Sequence, residues 1–214
     1  MATQKVDLPD LETMTDSAPK THTRLKVINL YGPPSVGKSA ARSGIFWLMK
    51  AFHMSVEEVS EYAKYLVLSG RSWQLKEEQL YLFSKQHHKQ LITQRNGYEF
   101  AVTDSPLQLC SFYAPLGYYE TFPPMVDEVY GAFENINFFL TRDMSGDGQF
   151  EDRGRAHNLE QSLEVEVKMR QFLKDKGIDC IEIPVDIFTP WRVLSHTHPG
   201  LADWPVFPDK DKTV

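Results

Sequence analysis

The chain has 214 residues, of which 42% are hydrophobic and 24% charged, a composition typical of one globular domain with a hydrophobic core. No apolar run approaches the roughly 20 residues that span a bilayer, and the N-terminus lacks the basic-then-apolar pattern of a secretory signal. The net charge of −6 argues against a protein that coats DNA through a large basic surface, but not against a DNA-modifying enzyme with a local basic groove.

The first 23 residues are polar, contain proline and show no periodicity, which predicts a flexible tail. A folded domain is predicted over 24–184, and it begins with the apolar run Leu25–Tyr31. This run enters a Gly-Pro turn, as expected for the first buried strand of a parallel sheet. Apolar residues then recur at helical spacing and predict a first helix: Ile45, Leu48, Met49 and Phe52.

The rest of the predicted domain alternates strands with helices. Further strands are predicted at 56–60, 98–103, 136–140 and 178–183, and further helices at about 72–95, 123–133 and 159–176. This alternation indicates an α/β fold with a doubly wound, five-stranded parallel sheet and helices on both faces. Residues 185–214 carry little pattern, and we expect a C-terminal extension that packs against the domain. The distant Cys110 and Cys180 lie in apolar runs, so we expect reduced thiols and a cytoplasmic protein.

The segment Gly32-Pro33-Pro34-Ser35-Val36-Gly37-Lys38-Ser39, called the phosphate loop below, has the pattern G-x-x-x-x-G-K-S. In such a loop, backbone N–H groups surround the β- and γ-phosphates of a nucleotide, while Lys38 reaches their oxygens. The Ser39 hydroxyl is offered to Mg²⁺, and the following helix presents its positive N-terminal end. Because a strand is predicted before the loop and a helix after it, we expect ATP and Mg²⁺ to bind here, with Ala40 as a further contact.

The third predicted strand ends in an acid, Asp104. P-loop proteins need a carboxylate beside the loop that holds Mg²⁺ directly or through water. We therefore expect Asp104 to act in catalysis and, together with Ser39, in binding Mg²⁺. The alternative is that Asp104 caps the next helix through Ser105-Pro106.

Glu61 follows the second predicted strand. In kinases that phosphorylate a small hydroxyl, a carboxylate near this position often faces the acceptor. Glu61 could take the proton of the acceptor or bind the acceptor through a hydrogen bond, which makes it a catalytic candidate. The alternative is a solvated residue at the start of a helix.

Three arginines lie in the polar segment between the fourth strand and the last helix: Arg142, Arg153 and Arg155. Phosphoryl transfer builds negative charge on the moving group, which arginines in a closing loop can neutralise. We assign Arg153 and Arg155 to this catalytic role and Arg142 to nucleotide binding. A solvated loop is the competing interpretation.

Five aromatic residues lie close together before the fourth strand: Phe112, Tyr113, Tyr118, Tyr119 and Phe122. Such rings can stack on a nucleic-acid base. They can equally pack in the core or beneath a lid, and the pattern leaves both interpretations open.

These motifs together resemble a family of small P-loop kinase-like proteins common in bacteriophage genomes, which is similar to thymidylate kinase and to the kinase half of nicotinamide riboside kinases. The resemblance covers about 25–184 and rests on 29–39, 61–64, 78–83, 86–87, 103–107, 137–140 and 154–155. It implies the sheet order 2-3-1-4-5 and a lid around 153–155. Some members phosphorylate the hydroxymethyl group of 5-hydroxymethyluracil in phage DNA. Pro33-Pro34 departs from the small residues usual in the loop and stiffens it without removing a needed phosphate contact.

We therefore expect an ATP-dependent kinase that transfers the γ-phosphoryl group to a hydroxyl on a nucleotide-like acceptor, with 5-hydroxymethyluracil in phage DNA as the leading candidate. The alternative within this class is a nucleoside or nucleoside monophosphate kinase. An ATPase or GTPase switch without an acceptor is the alternative from another class. The chain contains no Asn-Lys-x-Asp stretch that reads guanine, and Asp104 is followed by Ser-Pro where motor ATPases usually place a water-activating Glu.

Overall fold

The computed structural model of the protein describes residues 24–142, 159–198 and 200. The strands are β1 Lys26–Tyr31, β2 Val56–Val59, β3 Phe100–Thr103, β4 Glu134–Arg142 and β5 Ile181–Val185. The helices are α1 Lys38–Ala51, α2 Tyr62–Leu68, α3 Gln74–Glu77, α4 Gln79–Arg95, α5 Gln108–Phe112, α6 Phe122–Gly131, α7 Leu159–Asp175 and α8 Thr189–Thr197. None of the described helices combines the length and apolar character that crossing a bilayer requires.

The five strands form one sheet in the order β2-β3-β1-β4-β5, and every neighbouring pair is parallel. This confirms the predicted five-stranded parallel sheet and the order that the resemblance implied. Asn29 of β1 lies level with Thr103 of β3 on one side and with Asn137 of β4 on the other. The carboxyl ends of β1 and β3 therefore emerge side by side, and this edge is where parallel sheets bind ligands.

Side chains alternate between the two faces of the sheet along β1, and each face is covered by helices. On one face Ile28 and Leu30 belong to a core cluster with residues of α1 and α8, among them Ile45, Met49, Val193 and Leu194. On the other face Val27 packs in a cluster with residues of α4 and α6, including Phe83, Phe122 and Val126. Tyr31 lies in a third cluster with Met169 and Leu173 of α7. Helices thus cover both faces, as the alternation of elements predicted.

Several predicted boundaries were wrong. The single helix predicted over 72–95 is divided into α3 and α4 because Glu78, with φ −118° and ψ 45°, is not helical. The prediction missed α2 and α5, which are only 7 and 5 residues long. The last strand begins at Ile181 and not at 178, since it is the pairing of Ile181–Val185 with Phe138–Arg142 that defines it.

The segment after β5, predicted to carry little pattern, contains helix α8. Pro190 lies at the N-terminus of α8 and packs directly on Gly44 of α1, where a Cβ would lie 2.6 Å from the proline Cγ. The rings of Phe52 and Trp191 lie 5.9 Å apart between the same two helices. Helix α8 therefore packs on α1 and completes the core on that face of the sheet. The predicted tail at 1–23 and residues 201–214 lie outside the described residues.

Candidate active site

The phosphate loop connects the end of β1 to the start of α1, as the pattern required. Gly32 has a φ of 139°, and a Cβ at this position would lie 2.7 Å from the carbonyl oxygen of Leu140. Gly37 has a φ of 102°, and its Cβ would lie 3.0 Å from Val185 Cγ1. Both positions demand glycine because the backbone is left-handed or nearly so and the ends of β4 and β5 press against the loop.

The amino end of α1 is built to receive an anion. Its N-cap is Gly37, which has no side chain to satisfy the first backbone N–H groups of the helix. The Lys38 ammonium donates hydrogen bonds to the carbonyl oxygens of Gly32 at 2.8 Å and Pro33 at 2.9 Å, so its charge lies over the loop. A helix N-terminus without a side-chain cap and a positive charge at one point suit the phosphates of a nucleotide.

Asp104 lies at the carboxyl end of β3, beside the phosphate loop, and is only 1% exposed. Its Oδ1 accepts a hydrogen bond from Arg42 Nη1 at 2.8 Å and another from the backbone N–H of Glu61 at 3.2 Å. Its Oδ2 is buried and has no hydrogen-bond partner among the residues that the structure describes. Oδ1 therefore connects the end of β3 to Arg42 and Glu61, and Oδ2 is available to a ligand such as Mg²⁺.

The expected alternative for Asp104, capping of the next helix, is not what the contacts show. Helix α5 begins at Gln108, its N-cap is Leu107, and no side-chain hydrogen bond caps it. The N–H of Ser105 is instead bound by Thr103 Oγ1 at 3.1 Å. Asp104 contacts α1 and the start of α2 through Oδ1.

Arg42 and Lys89 also belong to this site, although they were not predicted from the sequence. Arg42 also forms an ion pair with Glu58 of β2, with Nε 3.3 Å from Oε2. Lys89 of α4 donates to the carbonyl oxygen of Ser60 at 2.8 Å. Burial lowers the pKa of Lys89, and the charge of Arg42 lowers it further, against the raising effects of Asp104 and Glu58. The position of Arg42 on α1, four residues after Lys38, was the available sequence signal, since residues at this spacing share a helix face.

Glu61 lies at the N-cap of α2 and not at the end of a strand, because β2 ends at Val59. Glu61 therefore lies at the start of a helix, as the alternative interpretation expected, and its backbone N–H contacts Asp104. Burial raises the pKa of Tyr113 well above its usual value, and the negative charge of Glu61 adds to the shift. Glu61 therefore lies between Asp104 and the segment that follows α5.

Helix α4 contacts the residue that precedes Asp104. Gln86 is 2% exposed and donates a hydrogen bond to Thr103 Oγ1 at 2.9 Å. The neighbouring His87 ring lies 6.0 Å from the Phe83 ring and 6.1 Å from the Phe133 ring. Gln86 therefore fixes the residue before Asp104, and His87 fills space between aromatic rings.

Arg142 contacts the phosphate loop directly. Its Nη2 donates to the carbonyl oxygen of Pro34 at 2.7 Å, and the hydroxyl of Ser162 on α7 donates to the same oxygen at 2.6 Å. Arg142 also donates to Ser162 Oγ. The loop is thus anchored to both β4 and α7 through one proline carbonyl. Arg153 and Arg155 lie outside the described residues.

No family model and no curated protein matches this chain. Among solved structures, a thymidylate kinase from Ehrlichia chaffeensis is similar with a TM-score of 0.51 and 14% identity, over 82% of this chain and 100% of that chain. A deoxyadenosine kinase from M. mycoides with bound dATP is similar with a TM-score of 0.50 and 15% identity, over 80% of this chain and 98% of that chain. At these identities the likeness shows the fold alone, which is the P-loop kinase fold.

Proposed function

We propose that the chain is a kinase that transfers the γ-phosphoryl group of ATP to a hydroxyl on a nucleotide-like acceptor. The observation that carries the proposal is that the phosphate loop and Asp104 follow the paired strands β1 and β3, and that Asp104 Oδ2 is buried with no hydrogen-bond partner in the described structure. A nucleotide-binding loop beside an available carboxylate is what phosphoryl transfer requires. The fold shared with a thymidylate kinase and a deoxyadenosine kinase supports this class of reaction.

In this proposal the backbone N–H groups of the non-proline residues from Gly32 to Ala40 and the ammonium of Lys38 bind the phosphates of ATP. Ser39 and Asp104 hold Mg²⁺, which supplies positive charge to the phosphates when bound. Arg142 holds the loop in its binding conformation through the Pro34 carbonyl. Arg153 and Arg155 are proposed to stabilise the group in transfer.

The acceptor hydroxyl would approach from the side of Glu61, whose backbone already contacts Asp104. Its oxygen attacks the γ-phosphorus, the bond from that phosphorus to the bridging oxygen breaks, and ADP leaves. The carboxylate of Glu61 receives the proton of the acceptor or binds its hydroxyl. The positions of Glu61 at the head of α2 and of Asp104 at the end of β3 support this side as the acceptor side.

The acceptor that we favour is the hydroxymethyl group of 5-hydroxymethyluracil in phage DNA, on the strength of the resemblance of the motifs. A free nucleoside or nucleoside monophosphate is the alternative, and the substrates named for the two similar structures favour that class of acceptor. Both acceptors would use the same proposed catalytic and nucleotide-binding residues. They differ only in the molecule that would bind next to α2.

The test is to incubate the full chain with Mg²⁺ and γ-labelled ATP against a panel of acceptors. The panel holds DNA with 5-hydroxymethyluracil, unmodified DNA, deoxynucleosides and deoxynucleoside monophosphates. We expect label to move to one of these and to be lost in Lys38→Ala, while Lys50→Ala, at the far end of α1, retains activity. Release of free phosphate whatever acceptor is offered would show an ATPase instead. Unchanged transfer by Lys38→Ala would remove the proposed role of the loop.

A further inference from the structure

Five tyrosines lie on α2, on α4 and on the segment before α6. We call this group the tyrosine strip, and it consists of Tyr62, Tyr65, Tyr81, Tyr118 and Tyr119. The Tyr62 ring lies 5.6 Å from the Tyr65 ring and 5.8 Å from the Tyr81 ring. The Tyr118 and Tyr119 rings lie 4.8 Å apart, and Tyr118 Oη accepts a hydrogen bond from the N–H of Leu80, the residue before Tyr81. The rings thus form a group of three and a pair, and the hydrogen bond to the Tyr118 hydroxyl places the pair next to the group.

Three rings of the tyrosine strip are exposed, whereas Tyr62 and Tyr118 are partly buried and pack against the core. Tyr65 is 55% exposed, Tyr81 38% and Tyr119 64%, whereas Phe122, from the same sequence cluster as Tyr118 and Tyr119, is only 2% exposed. The core interpretation of that cluster therefore applies to Phe122, while the exposure of Tyr119 leaves base stacking open for it. Rings that remain exposed after folding have area available for a partner.

Positive charges lie against the exposed rings. The Arg71 guanidinium lies 5.3 Å from the centre of the Tyr65 ring, and the Lys85 ammonium lies 5.4 Å from the centre of the Tyr81 ring. Over 61–89 and 118–120, the two segments that carry the strip, the chain has five basic residues (Lys64, Arg71, Lys76, Lys85, Lys89) against four acidic ones (Glu61, Glu77, Glu78, Glu120), while the whole chain has a net charge of −6. The net charge of these segments is therefore opposite in sign to that of the protein and suits a polyanion.

The tyrosine strip begins at the proposed acceptor site. Tyr62 directly follows Glu61, and the N–H of Glu61 is bound to the buried Asp104. A chain molecule that delivers a hydroxyl to this edge and extends along α2 would therefore meet the strip. An enzyme that modifies a base inside DNA needs the base out of the stack, which leaves a locally unpaired strand to be held.

From these four observations we propose that the tyrosine strip, with Arg71 and Lys85, binds an unpaired DNA strand, its rings stacking on bases and its cations contacting phosphates. This inference rests on the proposed function, because it names the form in which the acceptor arrives. Exposed aromatic rings beside basic side chains are the means by which proteins hold single strands without reading their sequence. The strip would hold nucleotides next to the acceptor and take no part in the chemical step.

The experiment measures binding of a fluorescein-labelled, unmodified 12-nucleotide DNA to the full chain by anisotropy, without ATP. We expect Tyr65→Ala and Tyr81→Ala each to weaken binding about tenfold, since one stacked base is lost in each, while Tyr65→Phe and Tyr81→Phe bind as the native chain does. Lys85→Glu should weaken binding and reduce its dependence on salt. The matched control is Trp47→Ala, which removes a ring that is 68% exposed on α1, on the opposite face of the sheet, and should change nothing.

Equal weakening by Trp47→Ala and Tyr65→Ala would overturn the proposal, and so would absence of binding by the native chain. Tighter binding of the duplex, or of RNA alone, would overturn the assignment to an unpaired DNA strand. Failure here is separable from failure of the proposed function. Transfer of label to a free nucleoside without binding of the oligonucleotide would refute only the proposed role of the tyrosine strip. Binding of the oligonucleotide without transfer to any acceptor would refute the proposed kinase activity.

Discussion

Arg42 and Asp104 form an ion pair of 2.8 Å that joins the first turns of α1 to the end of β3. The Asp104 side chain is 1% exposed and that of Arg42 is 13% exposed, so the pair is shielded from water. It lies one helical turn from Lys38, and its carboxylate has a second oxygen available to a ligand. The pair therefore connects the stability of the fold to the geometry of the candidate active site.

Replacement of Arg42 by Met should lower the free energy of unfolding by about 3 to 5 kcal/mol, because it leaves a buried carboxylate without its partner. The double variant Arg42→Met/Asp104→Asn should recover at least about 1 kcal/mol of this loss. Urea unfolding at pH 7 measures both. Glu58→Gln breaks the more exposed pair with Arg42 and should cost no more than about 1 kcal/mol. Additive losses in the double variant would show that the ion pair contributes no coupling.

Asp104→Asn should lower phosphoryl transfer by about 100-fold or more, because it removes a negative charge from the proposed Mg²⁺ site. Turnover should also require a higher Mg²⁺ concentration. The measurement is the initial rate as a function of Mg²⁺ at fixed ATP, with circular dichroism as the control for folding. A normal Mg²⁺ dependence in this variant would assign Asp104 a purely structural role.

Gly44→Ala should destabilise the protein by about 1 to 3 kcal/mol, because the new Cβ would overlap the Pro190 ring of α8. In a Pro190→Ala background the ring is gone, and the same substitution should stabilise α1 by up to about 1 kcal/mol. The sign of the effect thus depends on the partner helix. Chemical unfolding of the four proteins tests this. Stabilisation by Gly44→Ala in the native background would show that α8 does not pack on α1 as described.

The acid stability of the protein should depend on His87. Burial lowers the pKa of His87 below its usual 6.5, and the charges of His88 and Arg95 lower it further. The folded state therefore binds a proton less readily than the unfolded state. The stability that follows is present above about pH 6.5 and is lost as the pH falls through the lowered pKa.

His87→Gln removes this titration, so its free energy of unfolding should fall less between pH 7.5 and pH 5 than that of the native chain. Loss of the ring contacts with Phe83 and Phe133 adds a constant offset at every pH. Unfolding in urea across this range gives both profiles. Parallel profiles would show that His87 has the same pKa in both states.

Ser162→Ala should raise the KM for ATP about fivefold, with a smaller effect on kcat. The substitution removes one of the two donors that anchor the Pro34 carbonyl. The lost hydrogen bond contributes about 1 kcal/mol to the stability of the loop conformation that binds ATP. Steady-state kinetics with varied ATP distinguishes the two parameters. Ser84→Ala, at an exposed serine of α4, serves as the control. An unchanged KM would show that the anchor does not affect nucleotide binding.

The phosphate loop and the sheet were predictable because their requirements are local. Gly32 and Gly37 stand where the backbone needs glycine, and Lys38 follows within the same loop. Apolar runs separated by helical segments gave a parallel sheet, while its order came from the resemblance of the motifs. Asp104 was selected because an acid at the end of a buried strand lies beside such a loop.

Partners far apart in the chain were not predictable. Nothing local links Arg42 to Asp104, 62 residues away, or Ser162 to the carbonyl of Pro34, 128 residues away. The same holds for α8, whose sequence carries little pattern. Its packing depends on the contact between Pro190 and Gly44, which are distant in the chain. The exposure of Tyr119 and the burial of Phe122 also depended on which rings the packed helices covered.

The sequence by itself thus determined the phosphate loop, the class of fold and the carboxylate beside the loop, because each follows from the backbone conformation or polarity of a short segment. Only the tertiary structure decided what holds that carboxylate, what anchors the loop and which aromatic rings remain exposed. These features arise when segments distant in sequence are brought together by burial of the sheet, and neither spacing nor composition encodes such contacts.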